Sequence, residues 1–415
     1  MLFDPARHEP LQAAAWDPTR VRASIRTIAA DLERSRTPAG LWPVHPLDDE
    51  GDEPAGGWKG LYLGAAGVLW SLWFLQRQGV IEAGLNLRAA IESTHAAWQT
   101  APDEGKPQPS YFLGEAGVLL VRRLITGESA LDARLEDVVR AHQQSPANEL
   151  LYGAPGTMLA ALHLWRATGD ERWRRLYLEN VDSLWTRWTM DADTGLHVWT
   201  QHFAGAPSRY LGAAHGMAGN AFPLLAGAAL LAEPRREALY DRLAAAFHAT
   251  AQREPFLSVA GPTGQPELRQ TVNWPPELRS TSAAQKHLLQ WCHGAPGIVT
   301  SLSAFPRGRS TELEALLVGA GETIWQAGPL AKGPGLCHGT SGNGAAFLSL
   351  HRRTGEQRWL DRARAFAMHA IGQQERVRRE HGRPRATLWT GDAGVAIHLW
   401  QCLEGIEGMP LLELV

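Results

Sequence analysis

Two cysteine-histidine pairs are the side chains of this sequence best suited to chemistry. They are Cys292-His293 and Cys337-His338, and each pair stands directly before a glycine. Thiolate sulfur and imidazole nitrogen are ligands that zinc prefers, and three protein ligands leave its fourth tetrahedral position open for water or a substrate. Two thiolates would also neutralise the charge of Zn²⁺. The four side chains exceed the three that an open site needs, and their spacing does not say which histidine is spare.

A third histidine occupies the same position relative to a glycine. His215 directly precedes Gly216, just as the histidines of both pairs precede theirs. An imidazole titrates near neutral pH and can therefore serve as a general acid or base. Glu149 lies shortly before an earlier glycine motif. It is a candidate to orient His215 or to hold a substrate, although an acid at a helix start fits equally well.

The third cysteine has no such setting. Cys402 lies in an apolar stretch, so we expect it in the core. Three cysteines are too few, and odd in number, for a disulfide framework. All three thiols are therefore expected to be reduced.

A repeated glycine motif organises the chain around these residues. Gly-x-x-Gly followed by an apolar run occurs seven times, with first glycines at Gly64, Gly114, Gly153, Gly216, Gly294, Gly339 and Gly391. A more amphipathic segment lies between successive copies. This alternation predicts an all-α fold, an α/α toroid or double-ring barrel of seven inner and seven outer helices. We expect residues 1–415 to form a single domain of this kind.

The toroid would bring the candidate residues together. Seven inner helices would begin at one end of the barrel, the mouth, where glycines allow close approach and leave room for a ligand. Residues 190–211 are expected to form a loop or short strands, and residues 253–290 a long irregular insertion. We expect both intervals to rim the mouth.

Composition narrows the possible partners and location. The net charge is −3, with basic residues scattered among acidic ones, so no nucleic acid or anionic membrane is expected as a partner. No stretch approaches the roughly 18 apolar residues of a membrane span, and the first residues lack the apolar core of a signal peptide. A cytoplasmic protein is expected.

At these motifs the sequence resembles the lanthionine synthetase C-like (LanC-like) family. The similarity is strongest at residues 148–153, 210–216, 291–297 and 335–339, and it is closer to the eukaryotic-type members than to dedicated lantibiotic cyclases. Residues 409–414 are also similar to the short acidic and apolar tail of the eukaryotic-type proteins.

The resemblance implies a toroid with Zn²⁺ bound by Cys292, Cys337 and His338, so that His293 is not a ligand. It also implies Michael-type addition of a thiol to dehydroalanine or dehydrobutyrine, with His215 handling a proton and Glu149 assisting. The favoured reaction is addition of glutathione to a dehydrated peptide or protein. A lanthipeptide cyclase, which uses the peptide's own cysteine, and a zinc-stabilised scaffold protein are the alternatives. A toroidal glycoside hydrolase fits poorly because it needs paired carboxylates at the mouth, where the fourth to sixth motifs offer histidine and cysteine instead.

The sequence departs from the cyclases at one position. They carry an arginine four residues before the first zinc cysteine, where this chain has Leu288. Lys286, His287 and Arg279 are the candidates to replace its charge.

Overall fold

The computed structural model describes residues 1–49, 51, 54, 56–202, 205–258, 267–279 and 287–415. Within these ranges fourteen α-helices alternate between an outer and an inner ring. The outer helices are α1 (Pro18–Arg34), α3 (Leu87–Thr100), α5 (Asp132–His142), α7 (Glu171–Thr186), α9 (Glu233–Thr250), α11 (Thr311–Ala327) and α13 (Gln357–His381). The inner helices are α2 (Ala65–Arg77), α4 (Glu115–Thr126), α6 (Ala154–Thr168), α8 (Met217–Ala226), α10 (Ala295–Ser301), α12 (Thr340–Thr354) and α14 (Asp392–Glu404).

The inner helices form a closed ring. Each packs against the next one along the chain, and α14 packs against α2. Most of their residues are buried on all sides, whereas α1 buries only one face, through Val21, Ile25, Ile28 and Leu32. Continuous apolar runs therefore mark the inner helices, and amphipathic ones mark the outer helices.

The helix ends follow local signals in the sequence. Asp17 accepts hydrogen bonds from Thr19 N and Arg20 N, with proline as the first residue of α1. Gly127, Gly169 and Gly355 end α4, α6 and α12 in the left-handed conformation.

The second glycine of each Gly-x-x-Gly allows a close backbone approach. A Cβ atom built at any of the seven would lie 1.8–2.2 Å from the carbonyl oxygen of the residue six positions earlier. No side chain fits there, so the loop before each inner helix folds directly onto the start of that helix. The residues just before the first glycine consequently take equivalent places around the mouth.

Substitution of one of these glycines should destabilise the fold. In Gly117→Ala the new Cβ would meet Tyr111 O at 2.0 Å and Leu61 Cδ1 at 2.6 Å. We expect the free energy of unfolding to fall by about 1–3 kcal/mol, the usual effect of overpacking, as measured by denaturant titration. Gly84→Ala is the control, because its Cβ would meet only the flexible Glu33 carboxylate at 3.3 Å. Equal stability of both variants would contradict this account of the motif.

Two antiparallel hairpins interrupt the helices. Strands β1 (Thr189–Met190) and β2 (His197–Val198) lie within or beside the first long interval, as expected for short strands. Strands β3 (Gln252–Ser258) and β4 (Glu267–Asn273) form an ordered hairpin where an irregular insertion was predicted. Residues 261–264 and Lys286 lie outside the described residues. None of the described helices has the length and hydropathy needed to cross a bilayer.

Contact with α11 explains the second hairpin. Thr323 Oγ1 accepts a hydrogen bond from Val272 N at 2.7 Å and donates one to Val272 O at 2.8 Å. Gly319 lets the strand approach, since a Cβ there would lie 2.6 Å from Val272 Cγ2. This support comes from a helix about 50 residues away, a separation at which the Pro- and Gly-rich local sequence gives no signal.

The C-terminal segment and Cys402 are part of the core. Tyr111 Oη donates to Leu411 O at 2.8 Å, and Ser303 Oγ donates to Glu413 Oε1 at 2.6 Å. Cys402 is fully buried, as predicted.

Candidate metal centre

Three side chains meet where α10 and α12 begin. The ligand atoms of Cys292, Cys337 and His338 all lie within 4.8 Å of one another. Both cysteines are buried and His338 is half-buried. Their loops are joined by a hydrogen bond of 3.1 Å from Cys292 N to Cys337 O. Two sulfurs and one nitrogen at this spacing suit a tetrahedral zinc site with one open position.

The conformation of Gly294 shapes the first of these loops. Gly294 has φ +103°, a region that L side chains rarely adopt, and a Cβ there would lie 2.1 Å from Leu288 O. Glycine is therefore required at this position. It allows the turn that carries Cys292 and His293 to fold against the start of α10.

The two thiols behave as one unit. Contact with Cys337 holds the pKa of Cys292 well below its usual value, and His338 and His293 act in the same direction against the effect of burial. Contact with Cys292 and burial raise the pKa of Cys337 well above its usual value. The two pKa shifts have opposite directions for one reason: the negative charge of the Cys292 thiolate opposes ionisation of Cys337. A cation between the sulfurs would favour both thiolates.

His215 is held by a buried carboxylate. His215 Nδ1 lies 2.9 Å from Glu149 Oε2, and Glu149 is fully buried. The carboxylate also accepts hydrogen bonds from Leu151 N, at 3.0 Å, and from Tyr152 N. Three contacts therefore fix the carboxylate, and the carboxylate fixes the imidazole ring. A neutral ring that donates from Nδ1 keeps Nε2 as its acceptor.

The backbone before Glu149 is constrained as well. Asn148 has φ +53°, which is unusual for a residue other than glycine. Its side chain donates to Thr200 O at 3.1 Å, and its carbonyl accepts from Asn220 Nδ2 at 2.9 Å. A turn held on both sides thus presents Glu149 beneath His215.

His293 lies beside this pair and outside the group of three possible ligands. Its ring centroid is 6.0 Å from that of His215 and 5.6 Å from that of Tyr210. Burial lowers the pKa of His293, which favours the neutral imidazole. Its Nδ1 is buried and has no hydrogen-bond partner among the described residues.

A cavity of about 1170 Å³ opens above these residues. Its floor consists of residues that directly precede the first glycine of a motif, by one or two positions. They are Tyr62, Leu63, Leu113, Leu151, Tyr152, His215, His338 and Thr390. Most other lining residues come from two segments, and they are residues 44, 47–49, 51, 54 and 100–105. Among the described residues, neither of the two long intervals lines this cavity, contrary to expectation, although Tyr210 packs against His215.

Two cations line the cavity in the part of the chain that the structure describes. Lys332 and Arg385 line it. Arg385 binds Asp48, with Nε 2.7 Å from Oδ2. Lys332 is exposed and has no ion-pair partner in the described ranges.

Among the described residues near Leu288, none supplies a charge to this cavity. Arg279 binds Asp191 and Asp193 and does not line the cavity, and His287 does not line it either. Lys286 lies outside the described residues. Neither Arg279 nor His287 therefore places its charge at this cavity.

Two more side chains at the metal centre were missed by the sequence analysis. Gln290 Nε2 donates to Cys292 Sγ at 2.9 Å. Tyr62 stands beside Cys337, and burial together with the neighbouring sulfurs raises the pKa of its hydroxyl well above the usual value. Tyr62 occupies the position in the first motif that cysteine occupies in the fifth and sixth, two residues before the glycine. Comparison of that position across all copies would have found it.

The fold and the site together define a helical toroid with a thiolate and imidazole centre at its mouth. The chain matches the model of the lanthionine synthetase C-like proteins over residues 59–408 and belongs to that family. The predicted family and the predicted toroid of seven inner and seven outer helices are thus confirmed.

Individual relatives agree with this assignment. A Danio rerio protein described as glutathione S-transferase LANCL1 is 27% identical over 382 residues, which cover 84% of this chain and 80% of that protein. The Arabidopsis thaliana LanC-like protein GCL1 is 42% identical over 86 residues, 20% of this chain and 19% of that protein. The solved structure of nisin cyclase superposes with a TM-score of 0.64 at 16% identity, covering 94% of this chain and 96% of that one. At that identity the likeness concerns the fold.

Proposed function

We propose that this protein adds a thiol to dehydroalanine or dehydrobutyrine residues of a peptide or protein, with Zn²⁺ held by Cys292, Cys337 and His338. The main support is that the ligand atoms of these three residues lie within 4.8 Å of one another, and that one of them, His338, lines the same cavity as the Glu149-bound His215. The reaction forms a bond between sulfur and the β-carbon of the dehydroamino acid, and the thiol proton ends on the α-carbon. Atoms and electrons balance without an oxidant or a reductant.

Each group has a separate task in this proposal. When bound, zinc lowers the pKa of a coordinated thiol, so that thiolate is present at neutral pH. His215 delivers a proton from Nε2 to the α-carbon as the enolate forms. Buried Glu149 holds the ring in this orientation and stabilises its protonated form.

Glutathione is the thiol that we favour. The Danio rerio relative is described as a glutathione S-transferase. The cavity, at about 1170 Å³, exceeds the roughly 300–1,000 Å³ typical of small-molecule sites, so it has space for a tripeptide and part of an acceptor chain. The charge of Lys332 suits the carboxylates of glutathione. It is also close enough to Cys337 to oppose the rise in the pKa of that thiol, which contact with Cys292 and burial cause.

We further propose that residues 1–415 act as one domain, because α14 closes the inner ring against α2. A cytoplasmic location follows from the same proposal, because the site needs Cys292 and Cys337 as reduced thiols.

Removal of the Lys332 charge should weaken the use of glutathione selectively. One hydrogen bond to a charged group is worth about 1.5–3 kcal/mol, so kcat/KM for glutathione should fall about tenfold or more in Lys332→Ala. Steady-state kinetics with 2-mercaptoethanol, which carries no carboxylate, are the control and should change little. Lys332→Arg should retain most of the activity. An equal loss with both thiols would mean that Lys332 does not bind the carboxylates.

Mass spectrometry tests the proposed reaction. Zinc-loaded protein is incubated with glutathione and a dehydroalanine peptide, and the peptide mass should increase by that of one glutathione. A dehydrated peptide with its own cysteine, tested without added thiol, distinguishes the cyclase. Rapid ring closure there without glutathione transfer would overturn glutathione as the thiol. Peptide binding without either product would favour a scaffold protein and refute the enzyme.

A further inference from the structure

The first twelve residues, here called the N-terminal strap, join the two loops that carry the candidate ligands. Glu9 N donates to Pro329 O at 2.9 Å, and Ala331 N donates to Arg7 O at 3.0 Å. Residues 329–331 lead directly into the loop of Cys337. The backbone of the strap therefore holds one of the two cysteine loops.

The side chain of Arg7 reaches the other loop. Arg7 Nη2 donates to Gln290 Oε1 at 3.0 Å, and Gln290 Nε2 donates to Cys292 Sγ at 2.9 Å. Gln290 is buried, and its backbone exchanges hydrogen bonds of 3.0 and 3.1 Å with that of His293. Arginine can only donate, so it must face the amide oxygen of Gln290. That contact directs the amide N–H of Gln290 at the sulfur.

The far end of the strap is anchored on α13. Glu9 Oε1 contacts His369 Nε2 at 2.6 Å and accepts from Gln373 Nε2 at 2.9 Å and from Arg376 Nη2 at 2.8 Å. Gln12 N donates to His369 Nδ1 at 3.1 Å. Arg7 is thus held between this anchor and the 329–331 segment.

We propose that Gln290 is a positioning residue of the metal centre, and that Arg7 of the N-terminal strap holds its amide in place. The N–H donated to Cys292 Sγ would stabilise the thiolate and hold the sulfur in place as a metal ligand. Loss of such an indirect contact typically costs 10- to 100-fold in metal affinity. This inference rests on the proposed function, because it takes Cys292 as a ligand.

Metal titration of full-length protein tests the role of Gln290. In Gln290→Met, which keeps the length of the side chain but removes both polar groups, zinc affinity should fall about 10- to 100-fold in competition with a chromophoric chelator. The sulfur-to-cobalt charge-transfer band of the Co²⁺-loaded protein should also shift, because the sulfur loses its hydrogen bond. Gln401→Met is the matched control. Gln401 is also buried but donates to Gly408 O, so its loss should leave affinity and band unchanged.

Arg7→Ala gives an independent test that leaves the buried glutamine in place. It should shift the same band and lower the affinity by a smaller factor, and it should add no further loss in the Gln290→Met background. The inference would be overturned if Gln290→Met kept the wild-type zinc affinity and an unshifted cobalt band. If Gln290→Met does not fold, the same two results in Arg7→Ala would overturn it. Failure of the wild-type protein to bind zinc or cobalt at all would instead refute the proposed function.

Discussion

Replacement of Cys337 by alanine should remove both the metal and the thiol addition. The wild-type protein should hold about one zinc per chain, since two thiolates and one imidazole complete an open site. Without Cys337, one thiolate and one imidazole remain, too few to retain the ion during dialysis. Metal analysis should therefore show almost no zinc, and the rate with a dehydroalanine peptide should fall to that of the uncatalysed reaction. Cys292→Ala and His338→Ala should behave in the same way.

Cys402 provides the matched control. It is also a buried cysteine, but its Sγ lies 3.6 Å from His398 Nε2 within α14, outside the metal centre. Cys402→Ala should keep one zinc per chain. Full zinc occupancy in the Cys292→Ala, Cys337→Ala double variant would show that the ligands are elsewhere.

The repeat made much of this site predictable. A residue just before a Gly-x-x-Gly is placed at the mouth whatever its type, because the second glycine packs against the same carbonyl in every copy. Three histidines at that position were therefore expected near one another, and the structure brings His215, His293 and His338 to one end of the barrel. The contact between Glu149 and His215 was only one of the roles that the sequence offered for Glu149. Its realisation depends on the unusual turn at Asn148, which no local pattern indicates.

The repeat does not predict contacts between segments that are far apart in the sequence. Arg7 and Gln290 are 283 residues apart, and they meet only because the ring closes and the N-terminal strap crosses its edge. The wall of the cavity is a similar case. Residues 44–49 precede the first motif, and the contact of Asp48 with Arg385 attaches them to the segment before the last motif. Closure of the toroid creates both contacts, so neither has a sequence signature of its own.

The proposed tasks of metal binding and proton transfer fall on different histidines. His338 belongs to the group of possible ligands, whereas His215 is bound through Nδ1 to a carboxylate that is itself held by two backbone amides. An imidazole fixed in this way gives up rotational freedom but keeps a defined nitrogen for proton exchange. His293, with its pKa lowered by burial, favours the neutral form beside it. The proposal therefore assigns proton transfer to His215, the ring that lies against the Glu149 carboxylate.

Replacement of His215 by alanine should keep the metal and remove most of the activity. The three proposed ligands remain, so zinc content should stay near one per chain. Loss of a positioned proton donor typically costs about 10²- to 10⁴-fold, so kcat for addition to a dehydroalanine peptide should fall within that range. Glu149→Gln should also keep the zinc but lose less activity, because the amide can still contact Nδ1 while it no longer stabilises the charged ring.

The outcome depends on measuring both quantities in the same preparation. Loss of zinc from His215→Ala would mean that the imidazole is a ligand or supports the fold of the centre. An unchanged rate with full zinc would mean that another group, such as His293, delivers the proton, and His293→Ala should then show the loss. The separate roles require two results together. His215→Ala should lower kcat and keep the full zinc content, and His293→Ala should keep the zinc with little loss of rate.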